Sequence, residues 1–204
     1  RSPTNSKQKL LETANDLIWK SSYGSVSVDD ICTTSGVKKG SLYYYFPSKA
    51  ELAVSVMEQS YLEFESGIND VFTGEISPIT RFENFATFIY DNQKLALEKY
   101  GRVCGCPFAS LGSEMAGNEE MIQQKADEIF SRQGSIFAAS ITEMIELGQL
   151  SQNTDVDSKA SQVLAFILGQ LMMARIQNDL TSLNEELRLG LLRTLDISHA
   201  EASR

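Results

Sequence analysis

The sequence predicts an all-α fold of about nine helices, with a tri-helical head over residues 1–47 and a helical bundle over 48–204. Three observations predict it. Apolar residues recur at helical spacing along nearly the whole chain, and no stretch alternates as a half-buried strand does. The four prolines (Pro3, Pro47, Pro78 and Pro107) stand far apart, leaving long intervals free for helices. With 42% hydrophobic residues and little glycine or proline, the chain can bury a real core and is neither disordered nor collagen-like.

The elements follow in order. Leu10, Leu11, Ala14, Leu17 and Ile18 define a first helix that stops around Tyr23-Gly24. Ser27 has the chemistry of an N-cap, with Asp30 in the first turn of a short helix through Val28, Ile31 and Cys32. That helix ends at Ser35-Gly36, where glycine can take the left-handed conformation that reverses the chain. A second short helix runs from about Lys38 to Tyr45 and is closed by Phe46-Pro47. Ser48-Lys49-Ala50-Glu51 is a capping-box pattern opening a long helix that carries Leu52, Ala53, Val56, Met57, Tyr61 and Phe64. Gly67 to Pro78 is the expected boundary region, with later helices near 78–99, 107–116, 119–148, 156–179 and 183–194.

The net charge of −9 is unevenly placed. Residues 1–50 carry seven Lys/Arg and four Asp/Glu, a balance of +3, and the remaining 154 carry eleven and twenty-three, a balance of −12. A basic head on an acidic body suits approach to phosphates by the head alone. No apolar run reaches the length of a membrane span and no signal-peptide pattern opens the chain, so no membrane association and a cytoplasmic protein are expected. The first residue is Arg1, which suggests that a few native residues precede it.

Two short helices around a glycine turn, after a longer one, follow the helix-turn-helix plan, which points to double-stranded DNA as partner. Lys38 and Lys39 open the second short helix, where positive charge favours phosphate or base acceptors. Gly40 lets backbone lie close to DNA, Ser41 and Tyr44 share a face, and Leu42 and Phe46 are expected in the head's core. Three consecutive tyrosines cannot all face solvent, so one is expected to pack.

The run Gly24-Ser25-Val26-Ser27-Val28-Asp29-Asp30-Ile31-Cys32, followed by Ser35-Gly36-Val37-Lys38-Lys39-Gly40-Ser41-Leu42-Tyr43-Tyr44-Tyr45-Phe46-Pro47-Ser48-Lys49-Ala50-Glu51-Leu52, resembles the head of the TetR family of repressors. The resemblance implies that the second short helix enters the major groove of each half-site of a palindrome. Lys39, Gly40, Ser41, Tyr43 and Tyr44, with Lys38 beside them, would contact bases or flanking phosphates. Ser27, Tyr45 and Lys49 would grip the backbone. Tyr45 stands where many members have histidine, and Cys32 replaces a small alanine and is expected to be buried.

The resemblance further implies a small-molecule inducer held in a body cavity and a homodimer paired through helices near 156–179 and 183–194. The first of these is broadly apolar (Val163, Leu164, Phe166, Ile167, Leu168, Leu171, Met172, Ile176), with Gly169 and Ala174 suited to close approach of a partner. An internal core helix would have the same pattern. Phe82, Phe85, Phe88, Ile89, Phe108, Met115, Met121, Phe130 and Phe137 suit a malleable cavity, and equally an ordinary core.

The stretch from Gly101 to Glu114 contains Gly105-Cys106-Pro107-Phe108, resembling a subgroup that includes sensors of electrophiles and oxidants. Cys106 precedes a proline suited to a first helical position, where a helix amino end and Arg102 would favour the thiolate. Covalent sensing by Cys106 and a structural cysteine both remain open. Cys104 could resolve a sulfenic acid, though a disulfide across so short a loop would be strained.

An enzyme is the main rival class. The single histidine, His199, lies near the chain end, the cysteines lack zinc-site spacing, and no glycine-rich phosphate loop is present, so no catalysis, cofactor or metal is expected. A DNA-binding architectural protein that answers to no ligand is the other rival.

Overall fold

The computed structural model describes the backbone of residues 3–197 and the side chains of residues 5–197, so His199 lies outside the described residues. The described residues form nine helices and no strand: α1 (Pro3–Lys20), α2 (Val28–Ser35), α3 (Lys39–Tyr45), α4 (Lys49–Phe72), α5 (Pro78–Tyr100), α6 (Pro107–Met115), α7 (Glu120–Glu146), α8 (Val156–Gln177) and α9 (Thr181–Thr194). None of them is long and apolar enough to cross a membrane.

Local chemistry sets the ends. The Ser27 hydroxyl accepts the Asp30 N–H at 3.1 Å while the Asp30 carboxylate accepts the Ser27 N–H at 2.8 Å, a complete capping box. Gly36 closes α2 at φ +67°. Ser48 accepts the Glu51 N–H at 3.1 Å as α4 begins. Ser77 caps α5 with Pro78 in its first turn, and Asp155 caps α8. Asn178, at φ +52°, stops α8 at Gln177, two residues before the expected end. Asp179 then accepts the Thr181 N–H at 3.1 Å and its hydroxyl at 2.8 Å, so α9 starts two residues early.

The break expected between Gly67 and Pro78 falls at residues 73–77, a shorter stretch than expected. Gly67 lies inside α4, which continues to Phe72, and a side chain at Gly67 would meet the Phe88 ring of α5 at 2.5 Å. Glycine there lets two helices approach closely, and that packing overrides its cost of about 1 kcal/mol in a helix.

The chain packs as two compact units, one of Arg1–Phe64 with Pro107–Ile129 and one of Glu65–Cys106 with Phe130–Arg204. In the first, Leu10, Ala14, Ile18, Ile31, Leu42 and Phe46 make the core of the three-helix head. The Phe108 ring of α6 meets Trp19 and Tyr61 edge-on, at 6.0 and 5.9 Å. In the second, Phe72, Phe82, Phe85 and Phe137 form a close aromatic cluster with centroids 5.2–6.0 Å apart. Helix α9 packs its leucines against α5 and α8. Gly190 is required at that contact, since an added Cβ would fall 2.0 Å from the Phe166 ring.

Candidate nucleic-acid interface

Helix α3 is fixed from behind. Leu42 is fully buried and Phe46 nearly so, as the spacing predicts. With that face inward, Lys38, Lys39, Gly40, Tyr43 and Tyr44 point to solvent. Tyr44 is 81% exposed and Tyr43 44%, unusual for large aromatics on a surface. Tyr45 is the tyrosine that packs, half-buried and edge-on to Tyr44 at 5.1 Å. Ser41 is half-buried, and nothing lies within 4 Å of a Cβ built on Gly40, so its backbone is open to a large ligand. The Lys39 ammonium pairs with Asp29 at 2.8 Å, which raises its pKa, and both partners are exposed enough for a phosphate to compete. Ser27 is exposed, its hydroxyl engaged with Asp30. Cys32 is half-buried, not fully buried as expected, because it sits on the outer flank of α2, and burial pushes its thiol pKa up.

Lys49, expected to grip phosphate, turns inward. Its ammonium donates to the Tyr23 carbonyl at 2.5 Å and lies 3.9 Å from the centre of the Tyr23 ring, and burial pulls its pKa down. Tyr23 is a hub that the sequence did not announce. Its N–H and that of Gly24 donate to the two oxygens of Glu114, at 3.1 and 2.7 Å. Its phenol pKa is pushed up to about 12, chiefly by burial and then by Glu119, whose carboxylate the phenol meets, and by Glu114. Two carboxylates at the end of α6 and just beyond it thus clamp the α1–α2 turn. No local signal marks Glu114 as the partner of residues ninety positions away.

The residues expected at a ligand site divide between the units. Phe108 and Met115 belong to the first, Phe85, Phe88, Ile89, Cys106 and Phe137 to the second. Phe85, Ile89, Phe108 and Phe137 are buried, while Phe88, Met115 and Cys106 are half-buried. Met121 is 46% exposed and so lies outside the core, because it falls on the outer face of α7. The loop before Cys106 is tied down: Gln93 donates to the Gly105 carbonyl at 3.0 Å and accepts its N–H at 2.9 Å, and Asn178 accepts the Val103 N–H at 2.9 Å. Cys104 is buried and its thiol pKa is raised by burial, against the opposing charges of Arg175 and Arg102. Of the two neighbouring thiols, Cys106 is the accessible one.

Helix α8 has two apolar faces. Ala160, Val163, Ile167, Leu171 and Ala174 face the chain's own core, which corrects the expectation that Ala174 meets a partner. Met172, Met173 and Ile176 are exposed, the last at 70%, and Gly169, one turn before them, has nothing within 4 Å of a built Cβ.

A helix-turn-helix head with an exposed aromatic and basic recognition helix, joined to a helical body, defines a DNA-binding transcriptional regulator. The chain belongs to the tetR family of bacterial regulatory proteins: that family's profile matches residues 10–56, and the tetracyclin repressor-like C-terminal domain matches residues 78–189. It is 27% identical over 191 residues, 93% of this chain and 92% of the other, to an HTH-type transcriptional regulator of the lacX 3' region in Lactococcus lactis subsp. lactis. A TetR-family regulator from Agrobacterium tumefaciens shares the fold with a TM-score of 0.82 at 22% identity, over 94% of this chain and 98% of that one. The reduced form of Escherichia coli NemR, a transcriptional repressor, does so with a TM-score of 0.78 at 20% identity, over 94% and 96%.

Proposed function

We propose that this chain represses transcription by binding a palindromic operator as a homodimer and releasing it when a small molecule enters the body. Residues 1–47 read DNA, and residues 48–204 bind the inducer and pair the protomers. The observation that carries the reading is the outward face of α3. Lys39, Gly40, Tyr43 and Tyr44 are exposed to solvent while Leu42 and Phe46 hold the helix from behind. Lys38, Ser41, Tyr45 and Ser27 flank that face, suited to phosphate and sugar contacts. A dimer would set two such helices about one turn of DNA apart. The α8 stripe of Gly169, Met172, Met173 and Ile176 is the surface suited to pairing, since the outer face of α9 is polar.

The clamp of Glu114 on Tyr23 and Gly24 supports a route from body to head. Helix α6 follows Cys106 directly, so a ligand that displaces α6 pulls on the α1–α2 turn through Glu114. Release then follows from the ligand's greater affinity for the displaced state.

Fluorescence anisotropy on duplex DNA from upstream of the chain's own gene tests the reading. Wild type should prefer that duplex over an unrelated one, and Tyr44→Ala should lose about tenfold on the preferred duplex with an unchanged melting temperature. Equal binding to both duplexes by wild type would remove the operator-reading claim. A second reading makes Cys106 the sensing group, favoured by its being half-buried beside a fully buried Cys104. A quinone titrated into the complex should then release wild type and spare Cys106→Ser; equal behaviour of the two assigns Cys106 to structure and the inducer to noncovalent binding.

A further inference from the structure

A cleft of about 160 Å³ opens between the first turns of α1 and the turn joining α2 to α3. Asn5, Ser6 and Lys9 line one wall, and Ser35, Lys38 and Ser41 line the other, with only the Gly36-Val37 pair between them lacking a polar side chain. No carboxylate reaches it. Two lysines, three hydroxyls and an amide around a hollow make an anion receptor by composition.

The distribution of charge on the head sharpens this. Lys39 is paired with Asp29, Lys49 is spent on Tyr23, and Lys7 lies over the Phe46 ring. Lys9 and Lys38 have no ion pair among the described residues, and both are exposed. Two of the head's positive charges without an ion pair, Lys9 and Lys38, therefore meet at one concave spot. Lys38 and Ser41 belong to the recognition helix and its cap, so the cleft lies at the edge of the surface that faces bases.

We infer that this cleft seats a backbone phosphate of the operator, with Lys9 and Lys38 as its two charges and Ser6, Ser41 and Asn5 as hydrogen-bond donors. The inference rests on the DNA-reading role proposed above and adds α1 to the interface. A contact of this kind anchors and orients but reads no sequence, since phosphates are alike at every step.

The test is the salt dependence of DNA binding by the full chain, on the upstream duplex and on an unrelated one. Lys9→Ala and Lys38→Ala should each lower the slope of log affinity against log salt by about 0.9. Lys9→Ala should weaken binding to both duplexes by the same factor. Both side chains are exposed, so melting temperatures should not move. An unchanged slope in Lys9→Ala, in a wild type that binds DNA, overturns the phosphate seat and leaves the DNA-reading role intact. A wild type that binds neither duplex overturns both. A third arm raises the melting temperature with inorganic phosphate at matched ionic strength. If phosphate stabilises wild type and not Lys9→Ala while the DNA slopes stay equal, the cleft takes free phosphate and the assignment to DNA fails.

Discussion

The Glu114 carboxylate accepts the Gly24 N–H at 2.7 Å, joining α6 to the turn that leads into the helix-turn-helix pair, across ninety residues of sequence. Its second oxygen takes the neighbouring Tyr23 N–H at 3.1 Å. A Cβ on Gly24 would sit 3.0 Å from that carboxylate, so the absence of a side chain is part of the contact.

Glu114→Ala leaves two amides without their acceptor and removes a negative charge near Lys49. It should lower the free energy of unfolding by about 1–2 kcal/mol in urea denaturation. Glu114→Gln keeps one acceptor oxygen and should lose less. If Glu114→Ala unfolds at the wild-type midpoint, the clamp contributes nothing to stability and its role as a route to the head weakens with it.

Lys49→Ala separates two uses of one ammonium. Held on the Tyr23 carbonyl and over its ring, Lys49 stabilises the turn, and its loss should lower the melting temperature while leaving the salt slope of DNA binding unchanged. A slope smaller by about 0.9 would show that the ammonium leaves Tyr23 for a phosphate in the complex.

Tyr23 gives the pH dependence. Its folded pKa is raised from 10.0 to about 12, so the folded state holds the phenol proton longer than the unfolded chain does. The resulting stability is fully present below pH about 10 and is lost as pH rises through about 12. In stability measured across that window, wild type should fall by up to about 2 kcal/mol more than Tyr23→Phe. Parallel curves for the two proteins would mean that the phenol is not buried against Glu119.

Ile176→Glu probes the outer face of α8. Ile176 is 70% exposed, so the substitution should not unfold the chain, yet a charge in an apolar pairing surface should shift a dimer to monomer by light scattering. Loss of operator binding should accompany the shift. A dimer that survives places the pairing surface elsewhere.

How much of this was legible in the sequence depends on range. Ser27 with Asp30, Gly36, Pro78 and Pro107 fixed helix starts and stops, because caps and turns are made by residues three or four apart and their chemistry shows in the letters. The burial of Leu42 and Phe46, and hence the exposure of Tyr44, follows from helical periodicity alone. The family resemblance rests on the same short-range run. Gly67 opens the expected boundary region, yet Gly67 and Gly190 are sites where Phe88 and Phe166 press in, which only the neighbouring helix can show.

The same divide runs through the interface. From its sequence the protein was already helical with a basic head, since periodicity, capping and charge balance are properties of the chain itself, and the resemblance of its run over residues 24–52 to the TetR head implied a DNA-binding regulator. Only the tertiary structure decided that Lys49 faces Tyr23, that Glu114 holds Gly24, and that Lys9 shares a cleft with Lys38. A lysine carries the same letter whether its ammonium meets a carbonyl, a carboxylate or water. What settles the choice is which distant groups the packed helices bring within 3 to 4 Å of it, and how much water they exclude.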